Sequence, residues 1–122
     1  MKLPQPFIEQ TKALLCEEYT NLESALQEES PVSIRVNKTK SFLHNETMNV
    51  PWCSSGYYLE ERLTFTFDPL FHAGCYYVQE ASSMFVELII KKYVTQPAVA
   101  LDLCSAPGGK STHLRSLLPE GS

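Results

Sequence analysis

The sequence has no excess of basic residues. Its 122 residues contain 10 Lys and Arg against 14 Asp and Glu, which gives a formal net charge of −4. A protein that binds nucleic acid over most of its surface carries a clear excess of positive charge. The composition therefore excludes that class, and any contact with a nucleic acid must be confined to a local patch.

Paired cysteines are also missing. Cys16, Cys53, Cys75 and Cys104 lie far apart, and no two of them form a C-x-x-C pair. A zinc site and a thioredoxin-like redox motif both depend on such spacing. The sequence therefore predicts four reduced thiols and no metal site.

Long apolar runs are absent as well. Glu87 interrupts the longest apolar stretch, near residues 85–90, and the amino terminus lacks the apolar region of a signal peptide. We therefore expect a soluble, cytoplasmic protein without a membrane span.

The apolar pattern that is present predicts a mixed α and β chain. Pro4 and Pro6 precede a segment that predicts two amphipathic helices ending near Glu29. After them, Val32, Ile34 and Val36 alternate with polar residues, as in a half-buried strand. We expect further short strands at residues 57–59 and 63–67. A helix opened by residues 79–83 should follow, with these residues on one apolar face: Met84, Phe85, Leu88 and Ile89.

The most informative stretch is an apolar run that ends in a glycine turn. Residues 98–103 are almost wholly apolar, which predicts a strand buried on both faces, as in a parallel sheet. Pro107 ends the run, and Gly108 and Gly109 can take conformations and close approaches that side chains forbid. A helix beginning near Lys110 would direct unpaired N–H groups at this turn. The pattern predicts a ligand crevice at the carboxyl end of a doubly wound sheet.

A phosphate loop is a rival interpretation of this turn. Gly109, Lys110 and Ser111 reproduce the end of the G-x-x-x-x-G-K-[ST] pattern, but Cys104 stands where the first glycine is required. The dinucleotide fingerprint G-x-G-x-x-G is absent too. Both nucleotide patterns are therefore disfavoured, and a simple tight turn beside a small buried cysteine remains the alternative to a cofactor loop.

Three segments carry a resemblance to a known family. The sequence D-L-C-S-A-P-G-G-K at 102–110 resembles the D-x-C-A-A-P-G-G-K signature of the Nol/Nop/Sun RNA (cytosine-5) methyltransferases. In that family the signature is the first S-adenosylmethionine-binding motif. S-I-R-V-N at 33–37 and Y-Y-V-Q-E-A-S-S-M at 76–84 resemble its S-x-R-V-N and Y-x-Q-E-A-S-S-M segments. Their order and spacing also agree, so the resemblance extends over nearly the whole chain.

The resemblance implies an α+β chain with two parts. Residues 1–75 would form a small amino-terminal RNA-binding domain of helices and antiparallel strands. Residues 76–122 would contain the first strand and helix of a Rossmann-like α/β methyltransferase domain, ending just after its first cofactor motif. The cofactor S-adenosylmethionine would contact the backbone of one loop: Cys104, Ser105, Ala106, Pro107, Gly108, Gly109 and Lys110.

The implied reaction is methyl transfer to carbon 5 of cytosine in rRNA or tRNA. It needs two cysteines on loops downstream of the first cofactor motif, and no segment of this chain resembles their motifs. Cys104 corresponds to the cysteine of the signature itself, which is not the nucleophile. We therefore expect no catalytic residue here and no activity from this chain alone.

RNA contact is predicted at the end of the half-buried strand. Arg35, Lys38 and Lys40 provide the dense positive charge of the amino-terminal half and suit phosphate groups. A solvated strand end is the alternative.

Other interpretations remain open. His72 has no visible partner acid for a role as general base. The aromatic residues at 52, 58, 65 and 67 lie in an acidic stretch, which favours core packing over base stacking. An unpaired apolar strand at 98–103 favours self-association. A non-enzymatic RNA-binding or interaction module is the alternative to the methyltransferase.

Overall fold

The computed structural model describes residues 3–40 and 48–122. The described residues up to Ser30 form one compact unit, and those from Pro31 onward form another. The first unit contains α1 (Gln5–Leu15), a 3₁₀ turn (Cys16–Glu18) and α2 (Tyr19–Ala25). Pro4 occupies the N-cap position of α1 and Pro6 lies in its first turn, so two residues that lack an N–H stand where helical N–H groups have no partner. The predicted pair of helices is confirmed.

The second unit contains a three-stranded antiparallel sheet. Its strands are β1 (Val32–Val36), β2 (Gly56–Leu59) and β3 (Tyr76–Val78), and β1 lies between the other two. Ile34 is opposite Tyr57 on one side and Val78 on the other. The helices of this unit are α3 (Pro69–His72), α4 (Val86–Tyr93) and α5 (Gly109–Leu117). Helices and a small antiparallel sheet confirm the predicted α+β character.

Two apolar clusters stabilise this unit. One joins buried Ile34 of β1 to Cys75 and Tyr76 at the start of β3. The other forms around Met84 and Val50, with Trp52 packed against it. Trp52 also donates a hydrogen bond from Nε1 to the carbonyl of Ala81 at 2.6 Å, which fixes the turn before β2 against the segment before α4.

Residues 98–103 do not form the predicted buried strand. They pair with no other strand among residues 3–40 and 48–122, Leu103 lies in a turn, and Val99, Leu101 and Leu103 are exposed. A strand needs a neighbour to satisfy its backbone N–H and C=O groups, and an apolar pattern alone cannot provide one. The strand prediction is therefore wrong for this chain.

Two smaller predictions are also wrong. Residues 63–67 contain a 3₁₀ turn (Phe65–Phe67) instead of a strand, and Phe67 is exposed. Of the apolar face predicted around α4, only Met84 is buried, whereas Phe85, Leu88 and Ile89 are exposed. The buried face of α4 carries Glu87 instead. The apolar pattern did not predict a buried carboxylate at that position.

The predicted domain boundary between residues 75 and 76 stays a prediction. Tyr76 begins β3, whose partner in the sheet is β1. No helix in the described part of the chain is both long enough and apolar enough to cross a bilayer.

Candidate cofactor crevice and the buried polar residues beside it

The glycine turn lines a crevice of about 220 Å³. All seven residues of the predicted loop, 104–110, form one wall, and residues 77–80 with Ser83 form the other. Two of the three segments that carry the family resemblance therefore face each other across one opening. The Tyr77 hydroxyl donates a hydrogen bond to the carbonyl of Pro107 at 3.1 Å and so joins the two walls.

Gly108 and Gly109 are required for different reasons. Gly108 has a φ of +105°, in the left-handed region that side chains rarely adopt, and a Cβ added there would meet no atom within 4 Å. Gly109 has ordinary helical geometry, but its added Cβ would lie 3.2 Å from Cε1 of Tyr77. Gly108 therefore allows the backbone to turn, and Gly109 allows the two walls of the crevice to approach each other.

The carboxylate of Asp102 stabilises the loop by accepting two hydrogen bonds. Oδ1 accepts the backbone N–H of Cys104 at 3.0 Å, and Oδ2 accepts the hydroxyl of Ser111 at 2.6 Å. The Ser111 hydrogen bond, followed by that of the Cys104 N–H, lowers the pKa of Asp102. The carboxylate therefore connects the start of the loop to the first turn of α5.

Arg35 belongs to the third segment that carries the family resemblance, residues 33–37, and its hydrogen bonds connect that segment to the same loop. Its Nε donates to Oε1 of Gln79 at 2.9 Å, and its Nη2 donates to Oγ1 of Thr112 at 2.7 Å. Arg35 is only 6% exposed, because it shares the buried polar face of β1 with Ser33, whose hydroxyl donates to the Gln79 carbonyl at 2.7 Å. The sequence predicted RNA contact at Arg35, with a solvated strand end as the alternative, and in the structure residues 79 and 112 cover this side chain.

The two predicted RNA-contact lysines remain exposed. The Lys38 ammonium donates to Oγ of Ser54 at 2.8 Å, and the Lys40 ammonium donates to the carbonyl of Ala73. Unlike Arg35, both side chains keep most of their donors available to solvent. The structure therefore separates the predicted basic patch into two surface lysines and one buried guanidinium.

A buried titratable cluster joins α4, α5 and the turn before β2. Glu87 of α4 accepts a hydrogen bond from Nε2 of His113 in α5 at 2.9 Å, and Sγ of Cys53 lies 3.8 Å from the same nitrogen. The other carboxylate oxygen of Glu87 accepts from the backbone and hydroxyl of Ser54 and from Lys91. The cluster therefore fixes α4, α5 and the turn at residues 53–54 to one another.

Burial and hydrogen bonding set the protonation of this cluster. Burial raises the pKa of Glu87, but hydrogen bonds led by that of Lys91 outweigh it, so the net shift is downward and the group is a carboxylate. Burial lowers the pKa of His113, against the opposing effect of Glu87, and keeps the ring neutral. Burial raises the pKa of Cys53, which keeps it a thiol.

The ligand atoms of Cys53, Glu87 and His113 all lie within 4.8 Å of one another, close enough to surround a metal ion. A metal on Nε2 would require the proton on Nδ1, which is buried and has no partner among the described residues. Histidines that bind metals normally donate that second N–H to an acceptor. The Lys91 ammonium also competes for the Glu87 carboxylate. The geometry favours a hydrogen-bonded cluster over a metal centre.

Comparison with known sequences decides the family. A family model described as the N-terminal domain of 16S rRNA methyltransferase RsmF matches residues 3–81. The chain belongs to the RsmF family. This membership confirms the resemblance inferred from the three sequence segments.

Curated relatives support the RsmF assignment over most of the chain. The ribosomal RNA small subunit methyltransferase F of Serratia proteamaculans is 28% identical over 95% of this chain, and that of Photobacterium profundum is 30% identical over 92%. The corresponding protein of Shewanella piezotolerans is 36% identical over 70% of the chain. The chain spans 27% of the length of each of the first two relatives.

Several residues of this RsmF-family chain were not assigned a role from the sequence. Gln79 lines the crevice while its side chain bonds Arg35, and Glu87 and His113 form a buried hydrogen-bonded pair. Glu87 did carry one signal, because a lone carboxylate interrupts an apolar helix. His113 carried none, since its partner lies 26 residues away.

Proposed function

We propose that this chain provides the methionine-binding part of an S-adenosylmethionine site and part of the RNA surface of an rRNA (cytosine-5) methyltransferase. The crevice supports this proposal, because two segments that resemble separate methyltransferase motifs form its opposite walls. The names of the relatives support rRNA as the substrate class.

The residues of the crevice fit the charged end of this cofactor. Gly108 leaves its side of the crevice open, and the N–H groups in the first turn of α5 have no helical acceptor, which favours a carboxylate. Glu80, on the opposite wall, offers a carboxylate for an ammonium or a sulfonium group. One wall therefore favours a negatively charged group and the other favours a positively charged group, which matches the two charges of a zwitterionic amino-acid group.

The crevice accommodates only part of the cofactor. Its volume of about 220 Å³ is below the ~300–1,000 Å³ of pockets that enclose a complete ligand of drug size. The cofactor supplies the methyl group of the reaction. The adenosine portion needs residues beyond the two walls described here.

The two buried cysteines of this chain, Cys53 and Cys75, do not suit the nucleophilic step. Cytosine-5 transfer requires a thiolate that adds to the base. Cys53 is buried with a raised pKa, and Cys75 is buried in the apolar cluster beside Ile34. We propose that the 122-residue chain alone transfers no methyl group, and turnover of labelled methyl groups onto rRNA by this chain would contradict the proposal.

A calorimetric titration with S-adenosylmethionine tests the cofactor assignment. We expect saturable binding to the 122-residue chain and loss of that binding in Gly108→Ala, because Gly108 lines the crevice and an added methyl group there meets open space that we assign to the cofactor. Gly121→Ala is the matched control, since Gly121 also has a positive φ of +90° and its added Cβ would make only ordinary contacts with Pro97. The control separates backbone strain from obstruction of the crevice.

Each result of this titration has a definite meaning. Binding that survives Gly108→Ala would place the cofactor elsewhere. Equal loss in both glycine variants would attribute the effect to strain, and no binding by the unmodified chain would overturn the claim that residues 77–83 and 104–110 suffice for recognition.

A further inference from the structure

The guanidinium of Arg35 is buried without a counter-ion. Its hydrogen-bond partners are the Gln79 amide, the Thr112 hydroxyl and the Gly109 carbonyl, all of which are neutral. No carboxylate of residues 3–40 or 48–122 lies within ion-pair distance of it. Buried charges in proteins are normally paired, because removing an ion from water is costly. The charge of Glu87 acts on Arg35 from beyond ion-pair distance, so the guanidinium has no anion in direct contact.

One donor of Arg35 remains available. Its Nε and Nη2 make the hydrogen bonds described above, whereas Nη1 has no partner within the described ranges and is not sealed from solvent. Arg35 also lines a cavity of about 360 Å³. Because hydrogen bonds hold two of its nitrogens, the guanidinium has lost its rotational freedom. Its third nitrogen can therefore bind a ligand with little further loss of conformational entropy.

The rest of the cavity is suited to an anion. Lys38 stands at its rim, and hydroxyl groups line its wall: Thr39, Ser54, Ser55, Thr112 and Ser116. Glu87 is the acidic residue among the described lining residues, and its carboxylate is already bonded to His113 and Lys91. A fixed guanidinium and an exposed ammonium supply donors for the oxygens of a phosphate group, whereas the hydroxyl protons of Ser54, Thr112 and Ser116 are already donated within the protein.

We propose that the cavity lined by Arg35 and Lys38 binds one phosphate group of the RNA backbone. The identity of the anion rests on the proposed function, since rRNA is the substrate named for the relatives. Tyr77 lines both this cavity and the cofactor crevice. A phosphate bound here would therefore hold the RNA one side chain away from the cofactor, and would position the nucleotide that accepts the methyl group.

The test is an NMR titration of the ¹⁵N-labelled 122-residue chain. Inorganic phosphate is one arm, a short single-stranded RNA is the second, and sodium chloride at matched ionic strength is the control. We expect both phosphate and RNA to give saturable shifts at residues 35–39, 54–55 and 112–116, and chloride to give none there.

Lys38→Gln tests the cavity without disturbing the core, since Lys38 is exposed. It should weaken RNA binding about tenfold, the effect of one lost charge-assisted hydrogen bond, and reduce the salt slope by about 0.7, the value for one phosphate of a single strand. Lys92→Gln, an exposed lysine that does not line the cavity, should change binding little. Arg35→Lys should weaken binding further while retaining the charge, because an ammonium lacks the planar fork.

The outcomes separate this proposal from the cofactor assignment. Shifts with phosphate but not with RNA would overturn RNA as the source of the anion. No shift with either, or equal weakening by Lys38→Gln and Lys92→Gln, would overturn the site itself. The calorimetric titration with S-adenosylmethionine is independent of all three results, so either proposal can fail while the other stands.

Discussion

The buried bond between His113 and Glu87 gives the sharpest stability prediction. His113→Leu keeps most of the side-chain volume but removes the Nε2 donor that lies 2.9 Å from Oε2 of Glu87. Because the His113 ring is neutral, this contact is a hydrogen bond to a buried carboxylate, and leaving a buried charged acceptor without its donor costs ~3 kcal/mol. Because Ser54 and Lys91 still bond the other oxygen of Glu87, we expect the loss not to exceed about 3 kcal/mol.

Urea unfolding followed by tryptophan fluorescence measures this loss. Trp52 is the single tryptophan of the chain and is half-buried next to Cys53, so its emission reports on the unit that contains the cluster. With a urea dependence of about 1–1.5 kcal/mol per molar, expected for a unit of this size, a loss of 3 kcal/mol moves the midpoint down by ~2–3 M.

His113→Gln is the matched variant for this measurement. The glutamine amide can donate from a position close to that of Nε2, so we expect a loss below about 1 kcal/mol. The reasoning is refuted if His113→Leu costs less than about 1 kcal/mol, or if His113→Gln costs as much as His113→Leu.

Three further predictions concern packing, pH and association. Gly56→Ala should cost about 1–3 kcal/mol in the same urea assay, because its Cβ would lie 2.6 Å from Sδ of Met84 in the core. The pKa of His113 is lower in the folded protein than in the unfolded chain, so the stability that neutral His113 contributes is present above pH ~6.5 and declines as the pH falls below that value. The urea midpoint should therefore fall between pH 7.5 and pH 5.5. The fall should be smaller in His113→Gln, which has no imidazole to protonate. The exposed side chains of Leu101 and Leu103 should promote self-association, and replacing both with Asp should raise the monomer fraction in analytical ultracentrifugation.

Local chemistry explains what the sequence could predict. The glycine turn was predictable because proline and adjacent glycines restrict the backbone in known ways, and all seven loop residues do line one crevice. The alternation in β1 was predictable from its apolar positions, since Ile34 packs in an apolar cluster on the face opposite Ser33 and Arg35.

Pairing across the chain explains what the sequence could not predict. The covering of Arg35 depends on Gln79 and Thr112, which are 44 and 77 residues away, and no local pattern encodes such distances. The strand predicted at residues 98–103 failed for a related reason. Its apolar pattern is genuine, but strand formation also needs a partner backbone, which the described residues do not provide there.

The bonds of Asp102 affect how a neighbouring strand could pair with residues 98–103. Because Asp102 is fastened to Cys104 and Ser111, the carboxyl end of residues 98–103 is held in place before any neighbouring strand is present. A strand that pairs with this segment would therefore meet a backbone that is already fixed at one end. The fixed end limits shifts in strand register and reduces the chain entropy that is lost on pairing. Because the bonded Asp102 stands between the exposed Leu101 and Leu103, we expect it to limit the registers in which a strand could pair with this segment.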